Sequence, residues 1–213
     1  MAIIVAAGNL ESEEDFYTSL LQKRAFLIAV DGGLKLFRKQ NIKPDILLGD
    51  MDSISQEDMN WACQAQIPQK KFSCDKDKTD THLALDMAIE NKNNPIYILG
   101  GIGCRLDHTL ANLYLLVYGY EKGAEVRILH PSHYVTLLTP SCKKIVEKKY
   151  GAILSILPVS PILSGLTMAG FRWNLQDKSI AQGMTWTVSN FLEEETGTIF
   201  LQDGMAFVIQ EKL

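Results

Sequence analysis

Through the first 130 residues, short apolar runs alternate with helical patterns, and this alternation limits the possible folds more than any other feature of the chain. The runs at 2–6, 25–30, 45–48, 95–99 and 125–129 have strand character, and several are separated by segments of helical spacing. Repeated strand and helix units of this kind build a mainly parallel, Rossmann-like sheet flanked by helices. The plainest helix is 106–118, where Leu106, Leu110, Leu113 and Val117 recur at helical spacing and predict an inward apolar stripe. A second is 79–89, with Leu83, Ala84, Met87 and Ala88 facing in. Past about residue 130 helical periodicity fades. Runs at 134–138, 153–157, 196–201 and 206–209 are β-rich and separated by Gly, Pro, Ser and Asn, which predicts an all-β sandwich. Gln202-Asp203-Gly204-Met205, between two of those runs, predicts a tight hairpin. The expected organisation is an α/β domain over 1–128 and a β-sandwich domain over 129–213, divided near 124–133.

Four carboxylates stand in two tight pairs, Gly49-Asp50-Met51-Asp52-Ser53 and Asp77-Lys78-Thr79-Asp80, each placed at the mouth of the expected sheet. Asp50 and Asp52 follow the apolar run Ile46-Leu47-Leu48. At strand spacing both would leave the backbone on one face and offer oxygen ligands to a hard cation such as Mg²⁺. Two structural alternatives stand beside that reading. Asp52 can cap a helix beginning near Ile54, and the second pair resembles a helix capping arrangement. Glycines follow several strand candidates: Gly8, Asp31-Gly32-Gly33 and Gly100-Gly101-Ile102-Gly103. Glycine there lets the backbone approach a phosphate, and a helix start favours an anion. There is no P-loop and no full dinucleotide fingerprint, which disfavours ordinary P-loop kinases and nicotinamide dehydrogenases.

The helix after the last glycine turn opens Arg105-Leu106-Asp107-His108-Thr109-Leu110-Ala111-Asn112. Arg105, His108 and Asn112 fall on one polar stripe, read as lying opposite the leucines. From there Arg105 can fork onto phosphate oxygens, and Asp107 can bind metal or water. Asp50, Asp52, Asp77, Asp80 and Asp107 around one crevice would repel one another, and a divalent metal would relieve that repulsion.

A net charge of −4 leaves no excess positive field for a nucleic-acid backbone. No apolar stretch is long enough for a membrane span, and the opening run lacks the basic flank of a signal peptide, so a cytoplasmic protein is expected. Cys63, Cys74, Cys104 and Cys142 have no metal-ligand spacing and read as reduced, mostly packed thiols. His82, His130 and His133 read as packing or surface residues. Lys143-Lys144 and Lys148-Lys149 read as solvated edges around Ile145-Val146.

Taken in order, Val30-Asp31-Gly32-Gly33, the two acid motifs and the Arg105 to Asn112 segment resemble the thiamine pyrophosphokinase family. Gly170-Phe171-Arg172-Trp173-Asn174-Leu175 and Val188-Ser189-Asn190 extend the resemblance across the second half. It implies an ATP:thiamine diphosphotransferase that releases AMP, with a nucleotide domain, a thiamine-binding sandwich, and a homodimer holding thiamine between subunits. It further implies catalytic and Mg²⁺-binding roles for Asp50, Asp52 and Asp80. ATP contacts fall to Asp31, Gly32, Gly33, Asp77, Lys78, Thr79, Arg105, Asp107, His108 and Asn112. Thiamine contacts fall to Trp173, Ser189 and Asn190. Met51, Thr81 and Cys104 depart from the family pattern without removing a charged ligand. The competing readings are a related diphosphokinase acting on a pterin alcohol and a sensor that binds without turnover.

Overall fold

The computed structural model describes residues 1–8, 10, 14–73, 77–140 and 143–212, so two of the four cysteines, Cys74 and Cys142, lie outside the described residues. The chain folds into two compact units, Met1–His130 and Pro131–Leu213. In the first, the elements run β1 (Ala2–Val5), α1 (Glu14–Leu21), β2 (Phe26–Val30), a 3₁₀ turn (Asp31–Gly33) and α2 (Leu34–Lys39). They continue with β3 (Ile46–Gly49), α3 (Gln56–Gln64), β4 (Gln69–Lys71), α4 (Asp80–Glu90), β5 (Ile96–Leu99), α5 (Leu106–Glu121) and β6 (Val126–His130).

These strands pair in the order β6-β5-β1-β2-β3-β4, all parallel. Strands of such a sheet are buried on both faces and read as continuous apolar runs. All four residues of β1 are buried, as are Ile28 to Val30 of β2. Each fully buried Ile, Leu or Val contributes about 1.5–3 kcal/mol. Helix α4 packs across β1, β2 and β3, while α5 packs on β6 and touches α4. The outermost strand β4, Gln69-Lys70-Lys71, is exposed throughout, and its lysines discourage pairing with another edge.

The chain walks outward from β1 to β4, then returns to place β5 on the other side of β1. Ligands in open α/β sheets gather outside the carboxyl ends of the strands at such a reversal. Because every strand is parallel, segments 6–8, 31–33, 49–52 and 100–103 all leave the sheet at that one edge. Ser55 caps α3, accepting the Asp58 N–H, and Thr79 caps α4, accepting the His82 N–H; neither Asp52 nor Asp77 is a cap.

Helix α5 corrects the expected facing. Its buried residues are Asn112, Leu115, Leu116 and Gly119, whereas Leu106 and Leu110 are 70% and 47% exposed. At 100° per residue the buried face lies on the side of Arg105 and His108, away from Leu106 and Leu110. The polar stripe is therefore the inward face carried past the edge of the core. Gly119 sets this orientation, since a methyl group there would stand 2.3 Å from a Val126 methyl. In α4 the buried set is Thr81, Ala84, Leu85 and Ala88, so Ala84 and Ala88 face in as expected while Leu83 and Met87 are half-buried.

The second unit contains β7 (His133–Leu138), β8 (Lys144–Glu147), β9 (Ile153–Pro158), β10 (Ile162–Ala169) and β11 (Leu175–Ala181). It closes with β12 (Asn190–Phe191), β13 (Thr196–Phe200) and β14 (Ala206–Glu211). Two antiparallel sheets form, β12-β9-β14-β7 and β11-β10-β13-β8. They share one core, in which Leu154, Ile156 and Val208 of the first sheet meet Leu163, Leu166, Ile180 and Ile199 of the second around Phe171. This is the expected sandwich. The segment 202–205 is not a hairpin, because β13 and β14 belong to different sheets. It crosses between them, and the Gln202 and Asp203 N–H groups donate to the Ser164 carbonyl. The Lys144-Ile145-Val146-Glu147 segment is an edge strand with Val146 in the core, not merely a solvated stretch.

Candidate active site

The acidic turn leaves β3 at Gly49. Asp50 and Asp52 meet through that turn and not as alternate residues of an extended strand, because Met51 lies in the left-handed region at φ 69°. The Asp52 N–H donates to Asp50 Oδ1 at 3.1 Å. The hydrogen bond with Asp50 pushes the Asp52 carboxyl above the usual range; the Asp50 charge adds to this, with a smaller push from Asp80. Asp80 occupies the first turn of α4, positioned by the Thr79 cap. Carboxylates gathered at one strand end are hard oxygen donors suited to a divalent cation. Among the described residues no group of three His, Cys, Asp or Glu side chains is already drawn together tightly enough to hold a metal ion.

Asp107 stands apart from this set. Arg105 grips it in a fork, Nε to Oδ1 at 3.3 Å and Nη2 to Oδ2 at 2.7 Å, and holds its carboxyl down to about 2. The repulsion expected of five acids thus resolves into a close pair, Asp50 and Asp52, and an ion pair at Asp107. Arg105, Asp107 and His108 are all exposed at the start of α5. Asn112 is buried and donates its side-chain N–H to the Gly101 carbonyl at 2.9 Å, so it braces the glycine turn from beneath. The Gly103 N–H donates to Thr109 Oγ1 at 3.2 Å and ties the same turn to the helix.

Asp77 is exposed ahead of α4. Lys78 reaches back to Asp86 at 2.5 Å, and the Tyr118 hydroxyl donates to the other oxygen of that carboxylate at 2.6 Å. Burial pushes Asp86 up, but the Lys78 and Tyr118 hydrogen bonds outweigh it and leave the carboxyl low. His82 packs edge-on against Tyr118 at 4.4 Å, and burial lowers its pKa. The cluster locks the start of α4, and Asp80 with it, against α5. At the end of β2, Asp31 accepts the Met51 N–H at 3.2 Å. Gly33 is buried against β1, where a methyl group would stand 2.0 Å from the Val5 carbonyl oxygen. Cys63 and Cys104 are exposed, in contrast to the packed thiols expected.

In the second unit a cavity of about 410 Å³ is lined by Trp173, Leu175, Trp186, Thr187, Val188, Ser189 and Asn190. This brings Trp173, Ser189 and Asn190 together as the sequence suggested. It also adds Trp186, whose only signal was an aromatic residue in a turn-rich stretch just before Ser189-Asn190. Both tryptophans are 58% exposed. Asn190 is buried and its amide makes three hydrogen bonds: Oδ1 accepts the Trp173 N–H at 3.2 Å and the Phe191 N–H at 2.8 Å, and Nδ2 donates to the Trp173 carbonyl at 2.8 Å. These bonds tie it to the tryptophan wall. Arg172 lies over the Trp173 ring at 5.7 Å and over Phe191 at 5.0 Å. Among the described residues no ionisable side chain lines the cavity, so a cationic ring there meets π faces and hydroxyls.

Residues 17–128 match the family described as thiamin pyrophosphokinase, catalytic domain, and residues 142–206 match thiamin pyrophosphokinase, vitamin B1 binding domain. The thiamine pyrophosphokinase of Bacillus subtilis (strain 168) is 30% identical over 207 residues, covering 97% of this chain and 96% of that protein. The crystal structure of the Bacillus subtilis enzyme superposes with a TM-score of 0.89 at 28% identity over 100% of this chain and 99% of its own. That of thiamin pyrophosphokinase from Geobacillus thermodenitrificans gives 0.87 at 29% identity, over 100% and 98%.

Proposed function

This chain belongs to the thiamin pyrophosphokinase family, and from that membership we infer that it transfers the pyrophosphoryl group of ATP to the hydroxyl of thiamine, giving thiamine diphosphate and AMP. The hydroxyl oxygen bonds to the β-phosphorus. The bond from that phosphorus to the α-phosphate oxygen breaks, and AMP leaves with the electron pair as the hydroxyl proton is lost. The observation that carries the site assignment is the turn at the carboxyl edge of the parallel sheet in which the Asp52 N–H donates to Asp50 Oδ1, with Asp80 in the first turn of α4.

Asp50, Asp52 and Asp80 hold magnesium, which when bound neutralises charge on the phosphates. Gly32, Gly33 and the glycine turn braced by Asn112 shape the bed for the nucleotide. Arg105 and His108 meet the phosphates there, Arg105 exchanging Asp107 for phosphate oxygens. Thr79, Asp77 and Lys78 form the adjoining wall at the start of α4. In the second unit, Trp173 and Trp186 take the cationic ring of thiamine, with Ser189 as a hydroxyl contact and Asn190 holding the wall in place. The working unit is a homodimer with thiamine held where two chains meet. Exposed Leu106, Leu110, Tyr114, Trp173 and Trp186 are apolar surface that a second copy would cover. The reaction belongs in the cytoplasm, where the exposed thiols of Cys63 and Cys104 suit a reducing environment.

Chromatography of ATP and magnesium, incubated with and without thiamine, tests the reading. AMP and thiamine diphosphate should appear together only when thiamine is present, and an Asp52→Asn enzyme should form neither. Transfer to a pterin alcohol in place of thiamine, or binding of both ligands without AMP release, would overturn it.

A further inference from the structure

We propose that Asp31 is a positioning residue, whose carboxylate sets the turn that presents Asp50 and Asp52. This rests on the reading that those two acids hold the cation. Parallel pairing of Val30 with Leu48 brings the ends of β2 and β3 side by side, so Asp31 emerges next to Gly49. The Asp31 carboxylate fills the space a side chain at Gly49 would need, since a methyl group there would stand 1.7 Å from Asp31 Oδ1. The same oxygen accepts the Met51 N–H at 3.2 Å. Met51, at φ 69°, adopts a conformation that an unbranched side chain rarely takes without support from its surroundings. Asp31 itself is left-handed, at φ 44°, which aims its carboxylate across at the neighbouring strand end. With Met51 held this way, the Asp52 N–H reaches Asp50 Oδ1, which keeps the two acids together on one turn.

Gly49 and Asp31 therefore form one device: the absent side chain on one strand makes room for the acid on the next. The acid needs an acceptor oxygen at that point and does not need its charge. Asparagine keeps the oxygen and loses the charge; alanine loses both.

The test measures equilibrium binding of Mn²⁺ by electron paramagnetic resonance in wild type, Asp31→Asn, Asp31→Ala and Asp52→Asn, with ATP binding measured separately in EDTA. Asp31→Ala should weaken Mn²⁺ by about 10–100-fold, as loss of an outer support does, with ATP binding in EDTA unchanged. Asp31→Asn should bind Mn²⁺ close to wild type and keep the Met51 amide protected from hydrogen exchange. That variant decides the matter even if the alanine protein does not fold. Equal loss of Mn²⁺ in Asp31→Asn and Asp31→Ala would overturn the proposal by showing that the charge acts directly. Weakened ATP with intact Mn²⁺ binding would overturn it in favour of a nucleotide contact. Wild-type Mn²⁺ affinity in Asp52→Asn would remove the cation reading on which the proposal stands, and that outcome is distinct from both.

Discussion

Replacing Asn190 by alanine separates a residue that touches substrate from one that holds the wall the substrate touches. The side chain is 6% exposed and makes three hydrogen bonds, two to the Trp173 backbone and one to the Phe191 N–H. At about 1 kcal/mol net for each bond lost, the variant should be destabilised by about 3 kcal/mol. For a chain of this size each kcal/mol lowers the melting temperature by about 2–4 °C, so a fall of about 6–12 °C is expected in a thermal scan without ligand. Freed from its tie, Trp173 should also hold thiamine less well, raising the KM for thiamine while the KM for ATP stays near wild type. An unchanged melting temperature together with a raised thiamine KM would show instead that Asn190 is a direct ligand.

Asp52 has a raised carboxyl pKa, so its stabilising contribution is full below the pKa of an unfolded Asp and is lost as pH rises through the higher folded value. Thermal scans in EDTA should show the protein losing stability across that window, magnesium should restore it at neutral pH, and Asp52→Asn should flatten both responses. Asp107 behaves oppositely: its contribution is present above the ordinary carboxylate range and is lost as pH falls toward about 2. In Arg105→Ala, carboxyl titration by NMR should move Asp107 up toward the unfolded value, and the KM for ATP should rise. Phe171→Ala in the sandwich core should cost about 3–5 kcal/mol by chemical denaturation. Trp186→Ala should raise the thiamine KM and spare that for ATP, with Trp186→Phe recovering much of the loss.

The parallel sheet was legible in the sequence because strands buried on both faces must be apolar throughout, and Ile3-Ile4-Val5 and Leu27-Ile28-Ala29-Val30 have no competing pattern. The facing of α5 was not. Leu106 and Leu110 share helical spacing with Leu113 and Val117, yet periodicity finds a stripe without saying what lies opposite it. The close fit of Gly119 to Val126 decides that question, and it depends on a residue with no side chain. The segment at Asp203-Gly204 failed as a hairpin for a related reason. Turn chemistry is local, whereas whether β13 and β14 join the same sheet is settled by their other partners.

The acids were visible as a set, but their grouping depends on the left-handed Met51, which no spacing rule supplies. Asn112 and Asn190 were found as important positions, but their backbone partners were not. Polar side chains in a motif suggest ligand contacts, and only burial reveals that these two serve the backbone of Gly101 and Trp173.

Phosphorus NMR of the complete reaction, with the α, β and γ atoms of ATP followed separately, distinguishes pyrophosphoryl transfer from every other way of consuming ATP. The β and γ phosphorus atoms should appear together in thiamine diphosphate while the α atom remains in AMP, in equal amounts and only when thiamine is present. Formation of ADP with thiamine monophosphate, or of AMP and free pyrophosphate without thiamine, would contradict pyrophosphoryl transfer to thiamine.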